Sequence, residues 1–147
     1  MSDQEILDLP MGMIAAKNTY LLMWVTNSHL ALGLQCLEAW GFQYKGIHTW
    51  VKTSNSGGVR LGVGHYGRNC TEHFLVALRG NPGTFTSMGL TNIPNVIHAT
   101  RSIHSRKPDE FWVTADRLKE AMGCEAIELF AREKRPGWDA WGLEVGD

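Results

Sequence analysis

The first 25 residues change from an amphipathic pattern to a wholly apolar one. Ser2 and Glu5 have the spacing of a helix-capping box, and the apolar residues that follow recur at helical intervals. We therefore predict a first helix that runs toward Lys17. Residues 20–25 are all apolar and rich in β-forming types. A run this short and uniform is typical of a strand buried on both faces, as inside a parallel α/β sheet.

The middle of the chain continues with a helical pattern and then an alternating one. Asn27 or Ser28 can cap a second helix, which Gly41 should end. Apolar and polar residues then alternate over residues 42–50 and again over residues 71–78, which predicts two further strands. The residues expected on one face of the first of these strands are Phe42, Tyr44, Gly46, His48 and Trp50.

The last third of the chain contains one clear helix. Pro108 and the acidic residues after it favour the first turn of an amphipathic helix that reaches about Met122 and ends at Gly123. Residues 126–131 are predicted to form an apolar strand and residues 95–99 a weaker one, and the remainder is a short tail.

Helices that alternate with buried strands predict a three-layer α/β sandwich, and 147 residues with 44% hydrophobic content fit one domain over residues 1–147. Ligands of such folds usually lie beyond the carboxyl ends of the strands. The loops expected there span residues 26–28, 52–67, 101–107 and 132–141. The sequence has no membrane-spanning apolar stretch and no signal-peptide pattern, so we expect a cytoplasmic protein.

The charge of the chain is segregated. Residues 43–107 contain eight Lys and Arg residues and one acid, Glu72, which gives +7, whereas the two flanking stretches are acidic and bring the total to −1. This distribution suits a surface that faces a polyanion such as nucleic acid. The alternative is a solvated basic face without a partner, and composition alone does not separate the two.

A glycine-rich loop precedes the strand predicted at residues 71–78. Residues 62–67 satisfy the spacing G-x-G-x-x-G, but a dinucleotide site needs a helix after this motif and the sequence predicts a strand. We therefore interpret the segment as a mobile glycine loop. Cys70 and His73 have a possible metal spacing, but no second pair of ligands lies nearby, and we expect no metal site.

Two clusters of charged residues stand at the ends of predicted elements. Residues 101–108 place three cationic side chains just before the Pro108 helix, whose first amides also attract anions. The cluster is either a carboxylate or phosphate site or a solvated basic turn. Arg132 follows the strand predicted at residues 126–131, where a ligand would be met, although spacing alone favours the alternative that Glu128 and Arg132 pair with neighbours.

Together these segments closely resemble the adenine-N6 methyltransferases, a family that includes the catalytic subunit of the eukaryotic messenger-RNA adenosine methyltransferase and DNA-modifying relatives from phages and bacteria. The resemblance covers nearly the whole chain and is closest to the phage and bacterial branch. The residues that carry it are Leu-Met-Trp-Val-Thr-Asn (22–27), Trp-Gly-Phe (40–42), Trp-Val-Lys (50–52), Arg-Asn-Cys-Thr-Glu (68–72), Arg-Gly (79–80), His-Ser-Arg-Lys-Pro-Asp-Glu (104–110), Glu-Leu-Phe-Ala-Arg (128–132) and Gly-Trp-Asp-Ala-Trp-Gly (137–142).

The resemblance implies a Rossmann-like methyltransferase fold in the permuted β-class strand order and S-adenosylmethionine as cofactor. By the same resemblance, Lys107 binds the methionine carboxylate, Arg132 reaches the ribose or carboxylate region and Phe130 lines the adenosyl pocket. The tail up to Glu144 closes over the ribose hydroxyls. The residues that would face the nucleic acid are Lys52, Arg60, His65, Arg68 and Arg106.

Members of the family carry an Asp-Pro-Pro-Trp segment at a strand end, which holds and supports the target amine, and this segment does not occur in the 147 residues. The catalytic residues are therefore unknown from the sequence. Leu143 is a second departure, because relatives commonly have asparagine there. We expect an upstream segment or a partner gene to encode Asp-Pro-Pro-Trp, since Met1 resembles a methionine that lies inside longer relatives.

In this family the missing strand is thought to lie at the centre of the sheet, between the strands predicted at residues 20–25 and 126–131. Its absence should leave two unpaired edges, which then pair directly, borrow a strand from another chain in an oligomer, or leave the domain poorly stable. Methylation by this chain alone is therefore not expected. The resemblance implies methyl transfer to adenine N6 in DNA, with RNA as the lesser alternative. The alternative function is an inactive nucleic-acid-binding or scaffold subunit.

Overall fold

A computed structural model describes residues 1–102 and 106–145 as a mixed α/β structure. Two short helices open the chain, a longer helix follows the first strand, and a fourth helix separates the main sheet from a small C-terminal one. The helices are α1 (Asp3–Leu7), α2 (Met11–Ile14), α3 (Leu30–Ala39) and α4 (Asp109–Met122). The strands are β1 (Thr19–Val25), β2 (Gln43–Thr53), β3 (Thr71–Arg79), β4 (Val96–Thr100), β5 (Ile127–Leu129) and β6 (Asp139–Trp141).

The main sheet has four strands in the order β1-β3-β2-β4. Strand β3 runs antiparallel to both of its neighbours, and β2 and β4 are parallel. Strands β1, β2 and β4 therefore point the same way, so that their carboxyl ends meet at one end of the sheet together with the start of β3. We call this end, formed by residues 25–27, 52–53, 71–72 and 100–101, the carboxyl edge.

Both faces of the main sheet are covered by helices, in agreement with the predicted layers. On one face, Cys36 and Leu37 of α3 pack with Val25 and Leu75. On the other face, alternate strand residues pack under α4. The residues buried in this second cluster are Trp50, Phe74, Val76, Ile97, Phe111, Trp112 and Ala115. The alternation along β1 and β3 places neighbouring residues in opposite clusters, as the period of a strand requires.

The first predicted helix is two helices. The capping box is confirmed, because the Ser2 hydroxyl accepts from the Glu5 amide and the Glu5 side chain accepts from the Ser2 amide. The helix then ends at Leu7, and Pro10 stands before α2. Proline lacks the amide that an uninterrupted helix would need at this position.

The cap predicted for the second helix is wrong. Residues Asn27–His29 form a 3-10 turn, and His29 is the N-cap of α3 without a side-chain hydrogen bond to the helix backbone. The Asn27 amide binds β3 instead and is unavailable to the helix. The end of the helix is confirmed, with Gly41 in a left-handed conformation at φ +77°.

The alternation of residues 42–50 is interrupted by a bulge. The register between β2 and β3 shifts between Tyr44 and Gly46. Phe42 consequently packs on the α3 face, whereas Trp50 packs on the α4 face. The prediction of one common face is therefore wrong for Phe42 and Tyr44, because one extra residue reverses the facing of everything after it.

Strand β1 lies at an edge rather than inside a parallel sheet, which corrects the prediction for residues 20–25. Its partner among the described residues is β3, in antiparallel register. The strand predicted at residues 126–131 is shorter and pairs with β6 in a separate two-stranded sheet, where a featureless tail was expected. Across residues 1–102 and 106–145, β1 and β5 do not pair with each other, and each has a strand partner on one side.

The described helices are too short or too polar to cross a bilayer.

Candidate cofactor and nucleic-acid site

The carboxyl edge brings together a group of charged residues that are far apart in the sequence. Glu72, the second residue of β3, accepts from two lysines: Lys107 Nζ lies 3.2 Å from one carboxylate oxygen and Lys52 Nζ lies 3.4 Å from the other. The three side chains are 16–26% exposed, so water screens these pairs only in part. Two cations share one anion, and the cluster retains a net positive charge.

The two lysines also lie over tryptophan rings. Lys107 Nζ is 4.8 Å from the centre of the Trp24 ring, and Lys52 Nζ is 5.1 Å from that of Trp50. The rings meet edge to face at 6.1 Å, and the Trp50 indole donates to the Ala99 carbonyl. Each ammonium group is held by its tryptophan ring and by Glu72. Because a lysine has three donors and Glu72 accepts from one of them, each lysine keeps further donors at the carboxyl edge.

The Trp24 indole nitrogen is buried and has no hydrogen-bond partner among the described residues. Buried donors are nearly always paired, so this one is an exception among the described residues. Trp24 belongs to the open strand β1 and lies directly beneath Lys107. The orphaned donor and the cation therefore stand at the same corner of the carboxyl edge.

A chain of hydrogen bonds holds the loop after β1 against β2 and β3. Thr49 Oγ1 and His73 Nδ1 are 2.9 Å apart, and His73 Nε2 is 2.8 Å from Asn27 Oδ1. The Asn27 amide nitrogen donates to the Thr71 hydroxyl at 3.1 Å. Since Asn27 Oδ1 only accepts, the network assigns the proton to His73 Nε2 and makes Nδ1 the acceptor from Thr49. Burial lowers the pKa of His73, with Glu72 acting in the opposite direction, which favours this neutral tautomer.

The C-terminal segment folds back over the residues predicted to bind the cofactor. Phe130 has φ +58°, so the chain turns sharply after β5, and its half-exposed ring meets Trp141 edge to face at 5.3 Å. Ala131 N donates to the Trp141 carbonyl. A Cβ on Gly142 would lie 2.5 Å from the Ala131 carbonyl oxygen, so only glycine fits there. Strand β5 ends at Leu129, three residues before Arg132, which corrects the prediction that Arg132 directly follows the strand.

Arg132 and Glu144 are brought together by this fold. The Arg132 Nε and a Glu144 carboxylate oxygen are 3.9 Å apart, and both side chains are more than half exposed. Within β5, burial raises the pKa of Glu128; the nearby Arg135 opposes this change and Glu133 adds to it. The predicted residues Phe130, Arg132 and Glu144 thus form one local surface.

Arg106 connects the Lys107 segment to the Arg132 segment. Its guanidinium lies 3.9 Å from Glu133 and 3.6 Å from Asp109. The neighbours of Lys107 and Arg132 in the sequence are therefore in contact. The guanidinium of Arg106, which we predicted to face nucleic acid, is thus paired with these two acids. Residues 103–105 of the same basic cluster lie outside the described residues.

The other residues predicted to face nucleic acid lie on the loop between β2 and β3. Arg60 and His65 are exposed, and the Arg68 Nε donates to the Gly62 carbonyl within the loop. The loop is followed by β3, as predicted, and not by the helix that a dinucleotide motif at residues 62–67 would need. Among residues 1–102 and 106–145, no three His, Cys, Asp or Glu side chains are grouped to hold a metal ion.

Sequence reasoning missed Glu72, Trp24 and the Asn27–His73–Thr49 network as parts of this site. Glu72 carried a usable signal, because it is the lone acid between residues 43 and 107. An isolated acid in a basic stretch needs cationic partners if it is partly buried. The network gave no such signal, since it joins three elements whose adjacency depends on the sheet order.

Comparison with known proteins matches residues 1–144 to the MT-A70 family model. The chain belongs to the MT-A70 family. It is 33% identical over 145 residues to the type II methyltransferase M.MunI of Mycoplasma sp, covering 98% of this chain and 58% of that protein. It is 34% identical over 151 residues to the human N(6)-adenosine-methyltransferase catalytic subunit METTL3, and 37% identical over 150 residues to the MT-A70-like N(6)-adenosine-methyltransferase of Drosophila melanogaster.

These two matches cover 99% of this chain and 25% and 24% of the human and fly proteins. The MT-A70 chain thus spans little more than half of one relative and about a quarter of the others. The match confirms the family inferred from the sequence, and the human and fly members are named N(6)-adenosine-methyltransferases. MT-A70 methyltransferases use S-adenosylmethionine as methyl donor.

Proposed function

We propose that this MT-A70 chain is the greater part of a domain that transfers a methyl group from S-adenosylmethionine to the N6 amine of adenine in DNA. The observation that supports the proposal is the carboxyl edge, where Lys107 lies over Trp24 and its neighbour Arg106 contacts Glu133, the residue after Arg132. The fold proposed for the complete domain is the Rossmann-like one in permuted strand order.

The residues present fit the cofactor chemically. Lys107 retains donors for a carboxylate, and a charge-assisted pair of this kind is about twice as strong as a neutral one. Phe130 and Trp141 offer an exposed aromatic surface for the adenine ring, and the Glu144 carboxylate can accept from ribose hydroxyls. When bound, S-adenosylmethionine supplies an activated methyl group on its sulfonium. Arg132, next to Glu144, meets the ribose or carboxylate region.

The open strand edges support a further, inserted strand. A cavity of 240 Å³ runs beside β1 and is lined by β1, α1 and α3. Leu129 of β5 packs against the same apolar cluster as Val25 at the end of β1. A strand between β1 and β5 would satisfy both unpaired edges, which otherwise present costly bare backbone groups. We propose that this strand carries Asp-Pro-Pro-Trp and comes from upstream of residue 1 or from a partner chain.

The inserted segment supplies what the described residues lack. The exocyclic amine of adenine is a poor nucleophile, because its lone pair is delocalised into the ring. A carboxylate and a carbonyl that accept from this amine orient it for in-line attack, and alignment is a large part of such catalysis. A strand end beside β1 would place these groups next to Lys107 and the orphaned Trp24 donor.

DNA is the proposed substrate because the motifs of this chain resemble most the phage and bacterial branch of the family, and the bacterial type II methyltransferase M.MunI is among the relatives. The exposed Arg60 and His65 belong to the basic loop that would follow the phosphate backbone, and Lys52 lies near the end of β2, just before this loop. Within a duplex, the target base has to leave the stack to reach the edge.

The test is methylation by the chain with an Asp-Pro-Pro-Trp strand supplied upstream or in trans. We expect labelled methyl groups to appear as N6-methyladenine in duplex DNA, and the same protein with that aspartate changed to alanine should be inactive. Preferential labelling of RNA of matched sequence would contradict the DNA assignment. Salt-sensitive DNA binding without any transfer would favour the inactive scaffold subunit, the alternative that the absence of Asp-Pro-Pro-Trp from these 147 residues keeps in view.

A further inference from the structure

A second cavity lies at the opposite end of the sheet from the carboxyl edge. It has a volume of 480 Å³, and the residues that form its walls and rim include Tyr20, Gln43, Lys45, His48, Asn81 and Phe85. Tyr20 stands near the start of β1 and Lys45 near the start of β2, whereas Lys52 and Val25 stand at the ends of these strands. The volume is within the usual range of about 300 to 1,000 Å³ for small-molecule sites.

His48 is the polar group at the base of this cavity. Its side chain is 9% exposed, and its imidazole has no hydrogen-bond partner in the described part of the chain. Its ring lies 4.6 Å from that of Phe74 at an angle of 32°. Burial lowers the pKa of His48, so the ring is neutral near pH 7 and offers one donor and one acceptor. The ring nitrogens of His48 keep contact with solvent through the cavity, so a ligand that enters the cavity can hydrogen-bond to them.

The aromatic walls of the cavity are held in place before any ligand arrives. Phe85 meets the His48 ring at 6.5 Å and the Tyr20 ring at 5.5 Å. The Tyr20 hydroxyl donates to the Gly83 carbonyl and so ties the loop after β3 across the opening. These faces suit a flat ring, because aromatic pairs prefer offset or edge-to-face contacts at such separations.

The rim of the cavity is polar and cationic. Lys45 is exposed and takes part in no ion pair within the described residues, and no Asp or Glu lines the cavity. Gln43 and Asn81 add amide side chains beside it. A ligand with an anionic group at the rim would therefore meet an uncompensated positive charge.

We propose that this cavity binds a small planar heteroaromatic molecule that carries one anionic group, with its ring hydrogen-bonded to His48 and its anion at Lys45. A mononucleotide, either free or at the end of a strand, has this chemistry. The site is separate from the carboxyl edge, and it does not depend on whether the chain methylates DNA.

The test is a nuclear magnetic resonance titration of the full chain with each of the four nucleoside 5′-monophosphates. At least one should shift the His48 ring signals saturably. His48→Phe, which keeps the stack on Phe74, should weaken binding about ten-fold, as expected for loss of one buried hydrogen bond. His98→Phe changes an exposed histidine of β4 and should leave binding unaltered.

Two further comparisons locate the anion and exclude the cofactor site. Lys45→Ala should weaken binding of the nucleotide several-fold but leave binding of the uncharged nucleoside unchanged. Lys107→Ala should change neither. A 5′-phosphorylated trinucleotide that binds more tightly than the monophosphate would identify a strand end as the source. No saturable shift with any of the four nucleotides, or binding that Lys107→Ala abolishes and His48→Phe does not, would overturn the proposal.

Discussion

Replacing Glu72 with glutamine should lower the free energy of unfolding by about 2 kcal/mol or more, because removal of one member of a partly buried ion cluster leaves the others uncompensated. Two ammonium groups, those of Lys52 and Lys107, lie within 3.4 Å of this carboxylate. Glutamine keeps the size of the side chain and removes its charge, so the loss reports electrostatics rather than packing. Urea denaturation of the two proteins measures it.

The matched control is Glu133→Gln. Glu133 pairs with Arg106 at 3.9 Å, but those side chains are 54% and 60% exposed, and exposed pairs contribute about 0 to 1 kcal/mol. We expect a change of a few tenths of a kcal/mol. Equal losses for the two variants would mean that the Glu72 cluster is solvated in solution and does not fix Lys107.

Replacing Trp50 with alanine should cost about 3 to 5 kcal/mol, the usual range for a large aromatic residue removed from a core. Trp50 is 1% exposed, its indole donates to the Ala99 carbonyl at 2.9 Å, and Lys52 lies over its ring. The variant therefore loses core packing, a link between β2 and β4, and the support of one lysine at the carboxyl edge. Because whole domains are stable by only about 5 to 15 kcal/mol, much of the protein should unfold at moderate temperature.

Tyr66→Ala serves as the comparison for this second prediction, since Tyr66 is fully exposed on the loop before β3. Exposed substitutions away from special features usually change stability by about 0.5 kcal/mol or less. Thermal unfolding followed by circular dichroism should show a large drop in midpoint for the Trp50 variant and almost none for the Tyr66 variant. If the unfolding midpoint of Trp50→Ala were as high as that of Tyr66→Ala, Trp50 would not belong to the core.

The elements whose signals are local were predictable from the sequence. The Ser2 capping box and the end of α4 at Gly123, with φ +60°, depend on a few neighbouring residues, and the structure has both. The strand β3 was predicted to within one residue for the same reason, because its alternation is long and regular. The covering of both sheet faces followed from the order of the elements.

The partners of the strands were not predictable. An apolar run such as that of β1 indicates burial on both faces but not which strand lies beside it. In the structure, β1 is antiparallel to β3, and its other edge has no strand partner among the described residues. The bulge at Tyr44 and Gly46 leaves no mark in the alternation, yet it reverses the face of Phe42. Strand β6 has three residues, too few for any pattern to indicate it.

The candidate site was predicted in part. Cofactor residues were indicated by the position of Lys107 just before the Pro108 helix and by the resemblance of residues 128–132 to the family. The contact between Arg106 and Glu133 brings these two segments together. The role of Glu72 depends on contacts across 35 residues of sequence, which no local pattern encodes. Asn27 is an example of a long-range contact that outweighs a local signal. Its residue type favours a helix cap, but its side chain hydrogen-bonds to Thr71 of β3 instead.

Calorimetry with S-adenosylmethionine tests the central claim most directly, namely that Lys107 and Arg132 serve one cofactor pocket. The chain should bind the cofactor saturably, and Lys107→Ala and Arg132→Ala should each weaken binding about ten-fold or more, the effect of losing a charge-assisted hydrogen bond. Lys17→Ala, which removes an exposed lysine at the far end of the sheet, should bind as the original does. A titration without heat of binding, or an affinity that is the same in the Lys107 and Arg132 variants as in the original chain, would contradict a shared cofactor pocket.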